Sequence, residues 1–429
     1  MMKILKRTVI TLFVLLSCAS RGDVYEMDDG IFPETWDTGI ITKGFTRISR
    51  PDVYSIKTPV AGNYPQGLYK YHYKTGLNWY DRELFTQTLE WFPPIHKTFE
   101  TNTEYTARLR LDPVDSRRTF KGTPQNHVYG LPKENVKSIT AKIIQESIVI
   151  YIVFNATESV KAAPIVLFED NFSGTALDTT KWNTSPQWDR QRRSTWRPDM
   201  VEVSGGNLRI KYRRDTELGN ALAQPSTNRR FTKEQNASSW IRTGGVRTIG
   251  TRYTERMFEN SYGWYEARIK FPKTEGMWGA FWLMPMTLSS SGRGEIGSEI
   301  DIMESIGAAY NTYNHAIHWN YASGGTAVST SKGFNTSNAG VPDIYDGQFH
   351  TFALDWSPGE YVFYINGIET WRVTPGIPEF NNIAIAQNPA YIKLTVEAAD
   401  WDQMLPDGFT EGEMLVDYVR VYNQPRIEN

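Results

Sequence analysis

Apolar and polar residues alternate along most of this chain with the two-residue period of half-buried strands. Thr106-Ala107-Arg108-Leu109-Arg110-Leu111 is one such stretch, and Ser147–Phe154 is another that becomes almost wholly apolar. The pattern returns downstream in Gly263–Phe271, His350–Trp356, Tyr361–Gly367 and Leu415–Tyr422, with Asn366-Gly367 as a hairpin turn signal. Pro93-Pro94, Asp112-Pro113 and Gly130-Leu131-Pro132 punctuate the earlier strands. No stretch carries a convincing 3.6-residue period. The pattern predicts an all-β protein in two parts: a smaller sandwich over 24–155 and a larger one over 165–425. The seam falls near Thr157–Pro164, a short mixed stretch containing Ala162-Ala163-Pro164.

The N-terminus departs from this pattern. Lys3, Lys6 and Arg7 precede the apolar run Thr8–Leu16, which as a helix rises only about 14 Å against the roughly 30 Å of a bilayer core. Residues 1–18 therefore read as an export signal. The ending Leu15-Leu16-Ser17-Cys18 resembles the bacterial lipobox. That resemblance makes Cys18 the lipidated first mature residue, with a polar tether around Arg21–Asp29. A cysteine discarded with the signal is the alternative. The expected location is extracytoplasmic, with a membrane reached only through this N-terminal lipid anchor. Cys18 is the single cysteine, which excludes an internal disulfide framework and a Cys-clustered metal site. Basic and acidic residues number 46 and 48, so no global field recruits nucleic acid. Aromatic residues make up 13%, enough to line binding surfaces as well as core.

The segment richest in chemistry is Gly297-Ser298-Glu299-Ile300-Asp301-Ile302-Met303-Glu304-Ser305. In a strand Glu299 and Asp301 share one face while Ile300 and Ile302 enter the core. Strict alternation would drive Glu304 onto the apolar face, where a lone carboxylate is costly. One extra residue, a β-bulge at Met303, flips the phase and returns Glu304 to the other acids. Like charges a few ångströms apart resist joint ionisation, so one member should hold a proton near neutral pH. An acid that protonates a leaving oxygen beside a carboxylate that attacks carbon is the requirement for glycoside cleavage. Glu299 and Glu304 begin about 13 Å or more apart along an extended strand, at ~3.3 Å per residue. The bulge and inward-leaning side chains would shorten this towards the roughly 5–5.5 Å of retaining enzymes. Calcium binding and a solvated acidic face are the competing readings. A flat strand wraps an ion poorly, and the interleaved Ile300, Ile302 and Met303 do not suit a solvated face.

Glu-Ile-Asp-Ile-Met-Glu, preceded by Tyr262-to-Pro285 with its Trp278-Gly279-Ala280-Phe281-Trp282 core, resembles the family 16 glycoside hydrolases. The form is the bulged Glu-x-Asp-x-x-Glu found in laminarinases, agarases and carrageenases. The resemblance covers about Ile165 to Tyr422 and implies a jelly-roll β-sandwich with a concave cleft. It further implies Glu299 as nucleophile, Glu304 as acid/base, and Asp301 as the neighbour that shares a proton with the nucleophile. No cofactor is implied for catalysis. A structural calcium on the convex side would use Glu169 and Asp417. The partner implied is a polysaccharide: a β-1,3- or mixed-linked β-glucan first, with an endo-β-galactanase on agar-like, carrageenan-like or host galactans as the alternative. A carbohydrate-binding sandwich that has lost catalysis is a third reading, and a monomer is expected. The residues 24–155 loosely resemble immunoglobulin-like modules.

Around the acids, Trp278 and Trp282 lie four apart on one strand face, and the resemblance makes them sugar platforms; Gly276 and Gly279 suggest an open surface there. In Asn314-His315-Ala316-Ile317-His318-Trp319-Asn320 one face carries Asn314, Ala316, His318 and Asn320. That face is assigned to the cleft, with His318 bonding sugar or nucleophile; the opposite assignment turns His315 and Trp319 inward to the cleft. Arg190, Arg192, Arg193 and Arg197, interleaved with Trp188 and Trp196, read as a cleft rim or a solvated loop. Trp36, Trp79, Tyr80, Trp91 and Phe92 read as core before a stacking platform. Gly292-Arg293-Gly294-Glu295-Ile296-Gly297 fits the dinucleotide fingerprint in letters only, since it leads into a strand and not a helix.

Overall fold

The computed structural model describes residues 56–67, 85–113, 135–145, 147–184, 188–190, 193–225, 231–250, 256–286, 293–307, 311–319, 328–398 and 404–426. Cys18, Trp36, Trp79, Tyr80, Arg192 and Asn320 lie outside them, as do the side chains of Trp188 and Arg190.

Among the described residues four strands come first: β1 (Phe85–Phe92), β2 (Thr106–Pro113), β3 (Val136–Ile144) and β4 (Ser147–Phe154). They form one antiparallel sheet in the order β1-β2-β4-β3. Alternation decides what is buried: Ala107, Leu109 and Leu111 face Ile148, Ile150, Ile152 and Phe154, and Trp91, Phe99 and Tyr105 close the cluster. Trp91 is therefore core, packing edge-on to Phe99 at 5.0 Å, while Phe92 is exposed. A second sheet, which a sandwich requires, does not occur among the described residues of this part.

The larger part begins with β5 (Val166–Asp170), β6 (Asn183–Thr184), β7 (Trp188–Arg190), β8 (Ser194–Trp196), β9 (Val201–Ser204) and β10 (Asn207–Arg214). Then follow β11 (Ile241–Thr243), β12 (Gly245–Arg247), β13 (Gly263–Lys270), β14 (Met277–Pro285), β15 (Glu299–Gly307) and β16 (Thr312–Trp319). The last are β17 (Val328–Asn335), β18 (His350–Trp356), β19 (Tyr361–Ile365), β20 (Ile368–Val373), β21 (Ala390–Ala398) and β22 (Glu411–Tyr422). Two short helices, Thr216–Leu222 and Lys233–Ser238, interrupt the β pattern.

These strands build two sheets. One runs β17-β16-β15-β14-β21-β12-β6; the other has the path β20-β19-β18-β13-β22-β10-β11-β8-β7, with β5 and β9 attached to β22 and β10. Their facing sides merge into a single core containing Phe281, Leu283, Ile300, Ile317, Ile392, Leu394, Phe352, Leu354, Val416 and Val419. The all-β sandwich expected from the alternation is thus what forms. Gly279 corrects one expectation. It points into the core, where an added Cβ would meet Phe271 and Met414 at 3.0 Å; it serves close packing of the sheets, not an open surface.

The seam is tied by a strap, residues 56–67. Gly62 N donates to Phe99 O at 2.8 Å and Tyr64 N to Asn423 O at 3.0 Å, so the strap bonds both parts. On β18, Asp355 faces away from the shared core. It accepts from Tyr64 Oη at 2.7 Å and pairs with Lys97 Nζ at 2.6 Å. Burial holds the Asp355 carboxyl above its ordinary range, against the opposing pull of Lys97.

Candidate active site

Strand β15 lies between β14 and β16, and its register jumps on both sides. On β14, Phe281 pairs with Met303 while the next residue, Trp282, pairs with Asp301. On β16, Asp301 pairs with Ala316 and Glu304 with Asn314, so three steps on β15 meet two on its neighbour. That is a one-residue bulge across Ile302–Met303. Both bulge residues are fully buried with Ile300 in the core. Apolar burial thus fixes the bulge, and the bulge returns Glu304 to the face of Glu299 and Asp301.

The bulge takes the Ile302 carbonyl out of the ladder, and a buried acceptor must find another donor. His315 supplies it: Nδ1 donates to Ile302 O at 2.6 Å, and Nε2 lies 2.9 Å from Thr370 Oγ1. The ring is stacked on Phe363 at 4.8 Å. Burial pushes its pKa down to about 3, so it is a neutral donor at ordinary pH.

The outward face of this sheet is a grid of aligned side chains. One row crosses Arg247 (β12), Lys393 (β21), Trp282 (β14), Asp301 (β15) and Ala316 (β16). A neighbouring row crosses Thr395, Ala280, Glu304 and Asn314. Glu299 pairs with His318, and Trp278 with Glu397. Asp301 and Glu304 are only 2% and 7% exposed, whereas Glu299 is half-buried. Glu304 is held from two sides: Trp278 Nε1 donates to Oε1 and Asn314 Nδ2 to Oε2, each at 3.0 Å. His318 Nε2 lies 3.2 Å from Asp301 Oδ2.

This setting moves protons. Burial, reinforced by the Asp301 charge, pushes Glu304 well above the usual carboxylate range, with the Asn314 hydrogen bond opposing. Burial and Glu299 raise Asp301 in the same direction, and Lys393 opposes. A buried carboxyl group that holds its proton more tightly than usual and a half-buried one therefore share one face, an arrangement that acid-assisted displacement at carbon can use.

The cleft face expected for β16 is the one observed: Asn314, Ala316 and His318 line it. His315 and Trp319 face the core, which settles the two assignments left open. Trp278 and Trp282 do share the cleft face, but Trp282 is buried, bonded through Nε1 to Thr395 Oγ1, and covered by Lys393 Nζ at 3.6 Å from its ring centroid. Lys393 thus occupies one face of that indole. Arg193 corrects the expectation of a rim or solvated loop: it is 1% exposed and lies over Phe231 at 5.1 Å. Glu169 on β5 and Asp417 on β22, the expected calcium ligands, are ion-paired with Arg420 Nε at 2.7 Å and Arg268 Nη1 at 2.5 Å. Among the described residues, Glu299, Asp301 and His318 are the one trio of acidic or imidazole groups gathered within 4.8 Å, and it shares Glu299 and Asp301 with the acid row. Sequence reasoning missed His315 as the bulge's donor, and missed Lys393, Arg247 and Glu397 on the cleft floor. Single polar residues alternating with Ile392, Leu394 and Val396 were the available signal.

The family model "Beta-porphyranase A-D, GH16 domain" matches residues 165–424. Keratan-sulfate endo-1,4-beta-galactosidase of Sphingobacterium multivorum is 26% identical over 64% of this chain and 59% of that protein. Endo-1,3-1,4-beta-glycanase EglC of Rhizobium meliloti is 27% identical over 60% of this chain and 51% of its own length. Beta-porphyranase B of Zobellia galactanivorans is 25% identical over 60% of this chain and 81% of its own. The chain spans little more than half the length of the first two relatives.

Proposed function

Because this chain belongs to glycoside hydrolase family 16, we propose that it cleaves a β-linked polysaccharide internally, with retention of configuration. The observation that carries the proposal is the bulge across Ile302–Met303, which puts a buried, proton-bearing Glu304 on the same face as Glu299 and Asp301. Glu299 is the nucleophile and attacks the anomeric carbon as Glu304 protonates the departing glycosidic oxygen. Glu304, now a carboxylate, is held by Trp278 and Asn314 and then takes a proton from water, whose oxygen displaces Glu299. Asp301 shares a proton with Glu299 and, with His318 against it, steers the nucleophile.

A β-1,3- or mixed-linked β-glucan is the first substrate reading, supported by the likeness to EglC, an endo-1,3-1,4-beta-glycanase. The second is an endo-β-galactanase, favoured by the β-porphyranase family model and by the keratan-sulfate endo-galactosidase among the relatives. Reducing-sugar release from laminarin, lichenan, agarose, porphyran and keratan sulfate separates them, and cleavage confined to the last three refutes the glucan reading. Glu299→Gln should lower turnover at least about 10³-fold while sugar binding persists. Full activity in that variant removes Glu299 from its role, and a wild type that binds but cuts none of the five leaves a lectin. Lipid anchoring at Cys18 outside the cytoplasm belongs to the same proposal, supported by the basic and apolar run before it. So do an immunoglobulin-like accessory role for residues 24–155 and a monomeric state.

A further inference from the structure

The cleft floor carries more charge than the three acids. Lys393 on β21 is 6% exposed, with Nζ 3.6 Å from the Trp282 ring centroid and 5.2 Å from that of Trp196. Its strand neighbours are Trp282 on one side and Arg247 on the other. Trp282 in turn neighbours Asp301, so Lys393, Trp282 and Asp301 form one transverse row. The charged or titratable groups of this floor are Arg247 on β12, Glu397 on β21 itself, Glu299, Asp301 and Glu304 on β15, and His318 on β16. Four carboxyl groups therefore face two fixed cations. Burying an ammonium is costly unless an anion repays it, and two indole faces supply only part of that compensation. The arrangement makes sense when Glu299, Asp301 and Glu304, side by side on one face, do not all carry charge at once.

We propose that Lys393 is a positioning residue of the acid row, whose ammonium holds the Glu299–Asp301 pair in its singly ionised form while Glu304 keeps its proton. The proposal rests on the hydrolase reading for its kinetic consequence but not for its electrostatic one. No bond is made or broken by Lys393; it biases where protons reside. A cation favours the carboxylate, so removing it leaves the pair doubly protonated to higher pH and the nucleophile uncharged.

The test uses the full chain and the neutral variants Lys393→Met and Lys393→Gln, with Lys393→Arg as rescue. On whichever polysaccharide the wild type cuts, the acid limb of kcat/KM should move up by about one pH unit in both neutral variants, with kcat falling more than KM rises. Lys393→Arg should restore the limb. A second readout needs no substrate: the difference in Tm between variant and wild type should grow in the variant's disfavour as pH rises from about 4 to 8, because the variant's folded state retains more protons. An unmoved acid limb together with a Tm difference that is flat in pH overturns the proposal and makes Lys393 a packing residue. A KM loss confined to sulfated substrates, with the limb unmoved, also overturns it by assigning the ammonium to the sugar. Should the wild type cut no polysaccharide, the hydrolase reading fails while the Tm series still decides for or against Lys393.

Discussion

Replacing His315 by phenylalanine tests whether a core residue aims the general acid. Phenylalanine keeps the ring against Phe363 and Trp371, which stack at 4.8 and 6.4 Å, and deletes the donor to Ile302 O along with the Nε2 contact to Thr370 Oγ1. A buried carbonyl left without its partner costs about 1–3 kcal/mol. In a chain of this size that corresponds to a fall in Tm of a few degrees. Because Ile302 O is the group freed by the bulge, its loss also loosens the turn of chain between Asp301 and Glu304; kcat should drop about 10–100-fold with KM little changed. The pH dependence has a definite sign. The folded-state pKa of His315 is depressed from 6.5 to about 3, so the unfolded chain takes up a proton that the folded one refuses. The wild type therefore loses stability from this group as pH falls from about 6.5 towards 3, by up to about 3 kcal/mol at pH 4. His315→Phe has no such group, while the raised carboxyls Asp301 and Glu304 are common to both proteins and cancel. The variant's deficit at pH 7 should narrow, and reverse, by pH 4. Paired urea titrations at pH 7 and pH 4 measure it; a deficit of the same size at both refutes the neutral, buried donor, and unchanged kcat refutes its link to Glu304.

Two further outcomes follow from other contacts. Asn314→Ala removes a donor to Glu304 Oε2 that favours the ionised form; the basic limb of kcat should rise by roughly half to one pH unit, and an unmoved limb takes the general-acid role from Glu304. Lys97→Met strips Asp355 of its cation at a site where the aspartate side chain is 1% exposed. Stability at pH 7 should fall by about 1–3 kcal/mol in urea titration, while soluble-substrate turnover at a permissive temperature stays within about twofold; a severalfold activity loss there refutes the separation of seam and cleft.

How far the sequence revealed this depended on how local each cause was. The acid row was legible because its logic lies within six residues: Ile300, Ile302 and Met303 demand the core, and only a bulge then spares Glu304 a buried, partnerless place. The face of β16 was legible by period alone. His315 was not, since it bonds Ile302 thirteen positions earlier, and an alternating pattern says only that it lies opposite His318. Lys393 was hidden further away. Tyr391-Ile392-Lys393-Leu394-Thr395-Val396-Glu397 reads as a strand with one solvated polar face, yet that face is buried beside β14, whose Trp282 pairs with Lys393 from more than a hundred residues earlier in sequence. The same remoteness hid from the sequence the ammonium that lies over Trp282.

The strap adds a constraint that strand patterns do not contain. On β18 the side chains of Phe352, Leu354 and Trp356 enter the shared core, so Asp355 must point out of the opposite side of that sheet. Tyr64 and Lys97 meet it there, and His96 sits against Gly359, where an added Cβ would lie 2.3 Å from its ring. The acid row lies on the outer side of the other sheet, with the whole core between. Tyr64 and Lys97 thus approach the sandwich from the face opposite the acid row, and they contribute no side chain to the row around Glu299. Removing residues 24–155 would therefore expose Asp355 and its surroundings before it altered any described residue of the cleft floor. A loss of activity after such a deletion has to be read against thermal stability first, because a decrease that disappears on cooling belongs to the seam and not to sugar binding.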